Sequence, residues 1–255
     1  NHLTETVLAA VQAVEAALTN GSSQAVIDGL RDDLRTTVSN EMVSWAAQHD
    51  VVEWDVINEP LGNRRGQDAL DDYDVMAEWF EIAESNKVSA DCRLFINEFQ
   101  IISAMTEELT PGYYTSRRDR YMTEVNRLLT NNAPIDGIGF QSRIKAERRD
   151  PQLIYDRLDE WATTYPNLRL IGTEFEVKDS APEDTWKTYQ YTDEERAQIT
   201  AEMMTQYYSH PQVDALTAWN IIGNDTSQLV NYDGVPTRNG LVWYYMHRHR
   251  YNTEA

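Results

Sequence analysis

Cysteine is nearly absent from this sequence, and histidine is scarce. The single cysteine, Cys92, excludes a disulfide within the chain. The five histidines are scattered without the spacing of a metal-binding motif, so the sequence predicts no metal site and no other cofactor. No segment approaches the roughly 20 consecutive apolar residues that a membrane-spanning helix needs. The sequence therefore predicts a protein that does not cross a membrane and has neither disulfides nor bound metal.

Basic residues are also few relative to acidic ones. The 255 residues include 42 Asp and Glu against 22 Lys and Arg, which gives a formal net charge of −20. Such a surface repels phosphate groups, so nucleic acids and anionic membranes are excluded as expected partners. Only 4 of the 22 basic residues are lysine. This composition is typical both of salt-adapted proteins and of ordinary acidic secreted enzymes.

Helical and extended segments alternate along the chain. Helical patterns are predicted at 4–19, 23–49, 68–85, 113–130, 151–163, 192–208 and 237–249, and Gly29 marks a point where the second could break. Apolar runs between them predict five strands, at 51–58, 93–97, 135–141, 168–173 and 215–222. Continuous apolar strands between helices are typical of a parallel sheet that is covered on both faces. No linker or repeat divides the sequence, so residues 1–255 are expected to form one α/β domain.

Two glutamates are expected at the ends of apolar strands. Glu59 lies in the segment WDVINEP (54–60), and Glu174 lies in IGTEFEV (171–177). Each alone could be an ordinary polar residue, in a turn or in a salt bridge. In a barrel of parallel strands, however, the carboxyl ends of the strands surround the active site. A pair of carboxylates there suits glycoside hydrolysis, in which one protonates the leaving oxygen and the other attacks the anomeric carbon.

Five segments in the same order carry a resemblance to a known family. WDVINEP resembles the acid/base motif of glycoside hydrolase family 10, the endo-β-1,4-xylanases, and IGTEFEV is similar to its nucleophile motif. IDGIGFQS (135–142), RLFINEFQ (93–100) and AWNIIGNDTS (218–227) resemble three further strands of that family. The resemblance implies a (β/α)8 barrel of the TIM type. It also implies a retaining hydrolase that cleaves internal β-1,4 linkages of xylan or a related polysaccharide by double displacement.

The resemblance assigns a role to each matching residue. Glu59 would be the general acid/base, and Glu174 would be the nucleophile that forms the covalent glycosyl-enzyme. Asn58 would hydrogen-bond the sugar 2-hydroxyl, and Gln141 would lie beside the nucleophile. Trp219 would form an apolar floor under the reacting sugar, since sugars present flat C–H faces that suit an aromatic platform.

Three further positions qualify this assignment. Asn97 would support the binding residues from behind. Arg143 stands where the family has a histidine, and it could keep Glu174 ionised, bind an acidic group of the substrate, or point to solvent. Gln228 follows Ser227 where the family often has a second tryptophan. These changes leave open a relative that acts on another polysaccharide, acidic or sulfated. The small number of strands leaves open a fragment that binds carbohydrate without cleaving it.

The number of predicted strands is too small for a closed barrel of eight. In the family the acid/base motif lies at the end of the fourth strand, whereas only helical sequence, residues 1–49, precedes the corresponding strand here. The first three strands are therefore expected to be missing, and an N-terminal segment or a second chain would complete the barrel. On this interpretation the chain is the C-terminal portion of the catalytic domain of a longer, secreted enzyme.

Overall fold

The computed structural model describes residues 4–104, 110–145, 150–178, 191–223 and 227–252. Within these ranges eight helices alternate with five strands. In chain order the elements are α1 (Glu5–Thr19), α2 (Gln24–Gln48), β1 (Glu53–Asn58), α3 (Arg65–Leu70), α4 (Val75–Asn86), β2 (Arg93–Phe99), α5 (Tyr113–Thr130), β3 (Gly137–Lys145), α6 (Pro151–Thr164), β4 (Arg169–Lys178), α7 (Asp193–Ser209), β5 (Val213–Ala218) and α8 (Arg238–Asn252). None of the helices in these ranges is both long and apolar enough to cross a membrane.

The five strands form one sheet whose order follows the chain, β1-β2-β3-β4-β5. β1 pairs in parallel with β2, and β4 pairs in parallel with β5. The predicted alternation of helices with five parallel strands is therefore confirmed. The chain also divides into two compact units, which comprise residues 1–98 with 119–137 and residues 99–118 with 138–255.

The first unit is built around β1, β2 and the helices that precede and follow β1. Thr4 caps α1 by accepting a hydrogen bond from the Val7 amide at 3.2 Å, as an N-terminal threonine should. On β2 three consecutive residues, 94–96, are fully buried, which is the pattern of a strand covered on both faces. Helix α2 continues through Gly29, so the break considered there does not occur.

A single helix over 68–85 was expected, and this prediction is wrong. The chain forms α3 and α4 instead, separated by Asp71 in the left-handed conformation with φ 53°. The Asp72 carboxylate accepts hydrogen bonds from the Asp74 and Val75 amides at 2.9 and 3.3 Å, and it pairs with Arg35. Burial opposes ionisation of this carboxyl, but the Arg35 guanidinium and the two amides hold the pKa of Asp72 below its usual value. The second helix therefore begins at its own acidic cap.

The second unit contains β3, β4, β5 and helices α6 to α8. Helix α7 begins with a capping box, in which the Thr192 hydroxyl accepts from the Glu195 amide and the Glu195 carboxylate accepts from the Thr192 amide. The helix predicted at 192–208 is confirmed, and the capping box stabilises its first turn. The strand ends differ from those expected, because β4 continues to Lys178 and β5 already ends at Ala218. Trp219 therefore follows its strand.

Candidate active site

Glu59 follows directly on the last residue of β1, as predicted, and has an unusual backbone. Its φ is 60°, in the left-handed region that a residue with a side chain rarely adopts. The Glu59 amide donates to the Asn97 carbonyl of β2 at 2.7 Å. The Gly62 and Asn63 amides donate to the Glu59 carbonyl at 3.1 and 2.8 Å. These bonds hold the chain in a tight turn, residues 59–63.

Three amide side chains surround Glu59 and the end of β1. The Asn63 Nδ2 donates to Glu59 Oε2 at 2.9 Å. One strand away, the Asn97 Nδ2 donates to Asn58 Oδ1 at 3.1 Å. Asn97 is fully buried whereas Asn58 is half-buried. Asn97 therefore lies behind Asn58 and fixes the orientation of its amide.

Glu174 does not end its strand, contrary to expectation. It lies inside β4, where the register against β5 is interrupted between Gly172 and Phe175. Its φ of 52° is again left-handed, and its side chain is 16% exposed. An interruption of this kind bends a strand and changes the direction of a side chain. The sequence alone did not reveal it, because it depends on the pairing of β4 with β5.

Arg143 of β3 lies close to Glu174, Glu176 and Trp219. Its Nε donates to Glu176 Oε1 at 2.6 Å, and its Nη1 lies 4.0 Å from Glu174 Oε2. Its guanidinium carbon lies 4.8 Å from the centre of the Trp219 ring. The Ser227 hydroxyl donates to the second oxygen of Glu176 at 2.9 Å. We call these five residues the Arg143 cluster.

The Arg143 cluster contains two residues, Glu176 and Ser227, for which the sequence analysis gave no role. The Glu176 side chain is 2% exposed, and a buried carboxylate is tolerated only where charges and hydrogen bonds replace water. One signal was available, because alternate residues of a strand point to the same face. Glu176 lies two residues after Glu174 and could have been grouped with it.

Gln141 lies two residues before Arg143 on β3 and is buried. Its carbonyl accepts from the Ser103 hydroxyl at 3.1 Å. Between them, Ser142 accepts a hydrogen bond from the Tyr207 hydroxyl of α7 at 2.7 Å. This bond fixes the face of β3 that Ser142 occupies, so alternation assigns Gln141 and Arg143 to the opposite face.

Trp219 and the segment after it form the border of the Arg143 cluster. The Trp219 amide donates to the Phe175 carbonyl at 3.1 Å, and the residue as a whole is 50% exposed. Residues 224–226 of the predicted motif lie outside the described residues. The Thr237 hydroxyl donates to the Gln228 carbonyl at 2.8 Å. Ser227 is thus adjacent to a residue that the start of α8 holds in place.

Metal chemistry has no candidate in the described ranges. No group of three or more His, Cys, Asp or Glu side chains there is placed to hold a metal ion. In the first unit, Glu59 accepts a hydrogen bond from an amide side chain. In the second unit, the Arg143 cluster holds two carboxylates beside a guanidinium, a hydroxyl and an exposed indole. Each set of groups is suited to acid/base or nucleophilic chemistry on a neutral, hydroxyl-rich ligand.

Comparison with known sequences places the chain in a family. The family model described as glycosyl hydrolase family 10 matches residues 12–243. Endo-1,4-beta-xylanase 2 of Arabidopsis thaliana is 25% identical over 229 residues, and endo-1,4-beta-xylanase A of Halalkalibacterium halodurans is 21% identical over 228 residues. These matches cover 88% and 80% of this chain but 18% and 50% of the relatives. The chain spans at most half the length of these two curated relatives.

Solved structures agree on the fold. A thermostable xylanase mutant from Cellvibrio japonicus has a TM-score of 0.67 at 19% identity, over 92% of this chain and 81% of that one. Xylanase 10B of Thermotoga petrophila, solved with xylobiose, has a TM-score of 0.63 at 17% identity, over 92% and 70%. The predicted (β/α) barrel type is confirmed. The five strands of the described residues are part of the eight that a complete barrel contains.

Proposed function

Because the chain belongs to glycosyl hydrolase family 10, we propose that it is a retaining glycoside hydrolase that cleaves internal β-1,4 linkages of xylan. Both curated relatives cited above bear the name endo-1,4-beta-xylanase. In this proposal Glu59 is the general acid/base and Glu174 is the nucleophile. The substrate is a polysaccharide, and a polymer too large to enter a cell requires an enzyme that acts outside it.

The first half of the reaction uses the two glutamates in opposite protonation states. An oxygen of the Glu174 carboxylate attacks the anomeric carbon while the Glu59 carboxylic acid gives its proton to the departing glycosidic oxygen. The bond between carbon and the leaving oxygen breaks, and a covalent glycosyl-enzyme forms on Glu174. Glu59 is left as a carboxylate, which can accept a hydrogen bond from the Asn63 amide.

The second half restores both groups. The Glu59 carboxylate removes a proton from a water molecule, whose oxygen attacks the same anomeric carbon. The bond to Glu174 breaks and the carboxylate is released. Two displacements at one carbon retain the configuration of the sugar. Glu59 changes its protonation state in each half, whereas Glu174 alternates between a free carboxylate and an ester.

The observation that carries this proposal is the guanidinium beside Glu174. Arg143 Nη1 lies 4.0 Å from Glu174 Oε2, and a nearby cation favours the ionised form that a nucleophile requires. Because an arginine does not lose its proton in proteins, this support does not depend on pH. Glu176 and Ser227 hold the guanidinium in place through bonds of 2.6 and 2.9 Å.

The binding roles follow from the same proposal. Asn58, whose amide is oriented by Asn97, donates to the sugar 2-hydroxyl. Trp219 offers its exposed face to the apolar side of a sugar ring. Gln141 contributes a polar group close to the nucleophile.

The proposal is tested by removing each carboxylate in turn. Glu59→Gln and Glu174→Gln should each lower kcat/KM on xylan by at least about 10³-fold, since the first variant lacks the proton donor and the second lacks the nucleophile. Proton NMR of the first product from the unchanged enzyme should show the β-anomer before mutarotation. Substantial hydrolysis by Glu174→Gln, or an α-anomer as first product, would contradict the assignment. Binding of xylo-oligosaccharides without turnover by the unchanged chain would favour a binding fragment instead.

A second candidate, an enzyme for acidic or sulfated polysaccharides, rests on Arg143. The structure favours the first candidate, because the Arg143 guanidinium already bonds Glu176 and lies against Glu174 and Trp219. A panel of neutral and sulfated glycans separates the two. We expect neutral xylan to be cleaved at least about tenfold faster than any sulfated glycan, and a reversed preference would assign Arg143 to the substrate.

We also propose that further strands complete the barrel, from an N-terminal segment or a second chain. β1 and β5 lie at the two ends of the strand order, and exposed sheet edges are unfavourable in isolated proteins. Val52 beside β1 is exposed, and so are Ile221 and Ile222 after β5. Light scattering of the 255-residue chain tests the second-chain form of this proposal. If the chain were monomeric at all concentrations, completion of the barrel by a second chain would be excluded, and only the N-terminal segment would remain as the source of the further strands.

A further inference from the structure

The turn after Glu59 is held from outside by two charged side chains. The Leu61 amide donates to Glu98 Oε2 at 2.9 Å, and the Leu61 carbonyl accepts from Arg120 Nη2 at 3.1 Å. Glu98 belongs to β2 and Arg120 belongs to α5. Both polar groups of one residue in the turn are therefore bonded to ionic groups on other elements. We call Glu98, Leu61 and Arg120 the Leu61 clamp.

Glu98 is an unusual residue for a purely structural hydrogen bond. It is fully buried, and burial of a carboxylate is costly unless charge or hydrogen bonds compensate. A charge-assisted bond from a backbone amide is roughly twice as strong as a neutral one. A buried carboxylate on the Leu61 amide therefore restrains the turn more firmly than a neutral acceptor would.

The Leu61 clamp acts on Glu59 through the backbone. Leu61 follows Glu59 by two residues, and the next two amides, of Gly62 and Asn63, donate back to the Glu59 carbonyl. The left-handed conformation of a non-glycine residue costs about 1–3 kcal/mol and persists only where the surroundings impose it. The clamp supplies such a restraint. It also fixes Asn63, whose amide bonds the Glu59 carboxyl at 2.9 Å.

We propose that Glu98 and Arg120 are positioning residues that aim the Glu59 carboxyl at the oxygen of the leaving group. This inference rests on the proposed role of Glu59 as general acid/base. Neither residue touches the substrate in this proposal. They act by fixing the Leu61 peptide, and thereby the conformation of the turn that carries Glu59.

The inference predicts a loss that depends on the leaving group. An alcohol needs a proton in order to leave, so a misplaced acid slows its departure. 2,4-Dinitrophenolate leaves without being protonated, so its departure is hardly affected. We therefore expect Glu98→Gln to lower kcat/KM about 10- to 100-fold on xylan and less than about 3-fold on 2,4-dinitrophenyl β-xylobioside. Arg120→Met should show the same selectivity with a loss of about 3- to 10-fold on xylan, because Arg120 is exposed and its bond is longer.

A matched control exists at the other end of β2. The Asp136 carboxylate accepts from the Leu94 amide at 2.8 Å, so Asp136→Asn replaces the same kind of charged acceptor by a neutral one away from Glu59. We expect this variant to leave the ratio of activities on the two substrates unchanged. Equal losses on both substrates in Glu98→Gln, or the same selectivity in Asp136→Asn, would overturn the inference.

A second measurement does not depend on activity. Amide hydrogen exchange followed by NMR should show Leu61 exchanging at least about tenfold faster in Glu98→Gln than in the unchanged protein, with Leu94 unaffected. An unchanged Leu61 rate would overturn the clamp itself. If the unchanged chain hydrolysed neither substrate, the proposed function would fail, whereas the exchange result would still decide whether the clamp exists.

Discussion

Glu59 and Glu174 have the same backbone conformation in very different surroundings. Both have φ values near 60°. Glu59 sits in a turn after its strand and is bonded by the neutral amide of Asn63. Glu174 lies within its strand, next to the guanidinium of Arg143 and close to a second carboxylate, Glu176.

The difference matches what each proposed role demands. A group that must gain and lose a proton in every cycle is best served by neutral neighbours that tolerate both states. A group that must stay ionised benefits from a fixed cation. The backbone conformation is shared, so the neighbours are what separate the two proposed roles: a guanidinium next to Glu174 and a neutral amide donor on Glu59. The first of the following changes tests this contrast directly, and the later ones test the structure around it.

The largest effect is expected from removing the guanidinium beside Glu174. Arg143→Met leaves two neighbouring carboxylates without their cation, which disfavours the ionised nucleophile. We expect kcat/KM to fall about 10²–10³-fold, or about 3–4 kcal/mol. Steady-state kinetics on xylan measure this loss.

Two variants serve as controls for that experiment. Arg143→Lys keeps the charge but loses the planar group that bonds Glu176, so the loss in kcat/KM should be smaller than in Arg143→Met. Asn63→Ala removes a neutral donor from Glu59, and an exposed bond of this kind is worth about 0.5–1.5 kcal/mol, roughly a 2- to 10-fold loss. If Asn63→Ala cost as much as Arg143→Met, the contrast between the two surroundings would have no functional meaning.

A smaller effect, on stability, is expected at the strand interruption next to Glu174. A Cβ at position 172 would overlap the Leu216 side chain and lie 2.9 Å from the Tyr207 ring. We expect Gly172→Ala to lower the free energy of unfolding by about 1–3 kcal/mol. Urea denaturation measures this loss. Gly29→Ala is the matched control, because no atom lies within 4 Å of that site in α2, and a gain of about 0.5–1 kcal/mol is expected there.

The smallest effect concerns His210, which precedes β5 and is buried. Burial lowers the pKa of His210 from its usual 6.5, and the Asp159 carboxylate opposes this without cancelling it. As pH falls through 6.5 the unfolded chain binds a proton before the folded one, so stability decreases. Above 6.5 the stabilisation is fully present. His210→Asn keeps an acceptor for the Gln212 amide. Its Tm, measured by thermal denaturation, should fall less between about pH 7 and 5 than the Tm of the unchanged protein.

Much of the fold could be predicted because local sequence determines it. The apolar run at 93–97 predicts an interior strand, and residues 94–96 are indeed fully buried. The helices predicted at 151–163 and 192–208 begin at Pro151 and directly after Thr192. The break at Asp71 was missed because helix-forming residues flank it on both sides. There the acidic cap at Asp72, strengthened by Arg35 from another helix, outweighs helical continuity.

The candidate site was predictable in its residue types but not in its connections. Glu59 and Glu174 follow from motifs, but the bonds that hold them join distant parts of the chain. Glu98 meets Leu61 across 37 positions, and Arg143 meets Glu176 across 33. Such pairs depend on how neighbouring strands align, which no local pattern specifies. The roles of all the predicted site residues remain predictions: Glu59, Glu174, Asn58, Asn97, Gln141, Arg143 and Trp219.

The left-handed backbone at the two glutamates has an evolutionary consequence. Glycine adopts that conformation without strain and asparagine with little strain. Replacing either glutamate by glycine or asparagine would therefore remove backbone strain and stabilise the fold. Selection for stability alone therefore pushes positions 59 and 174 away from glutamate. In relatives that no longer catalyse the reaction, positions 59 and 174 are expected to be among the first to be substituted. If the proposed roles hold, glutamate at both positions reflects selection for chemistry against the preference of the fold.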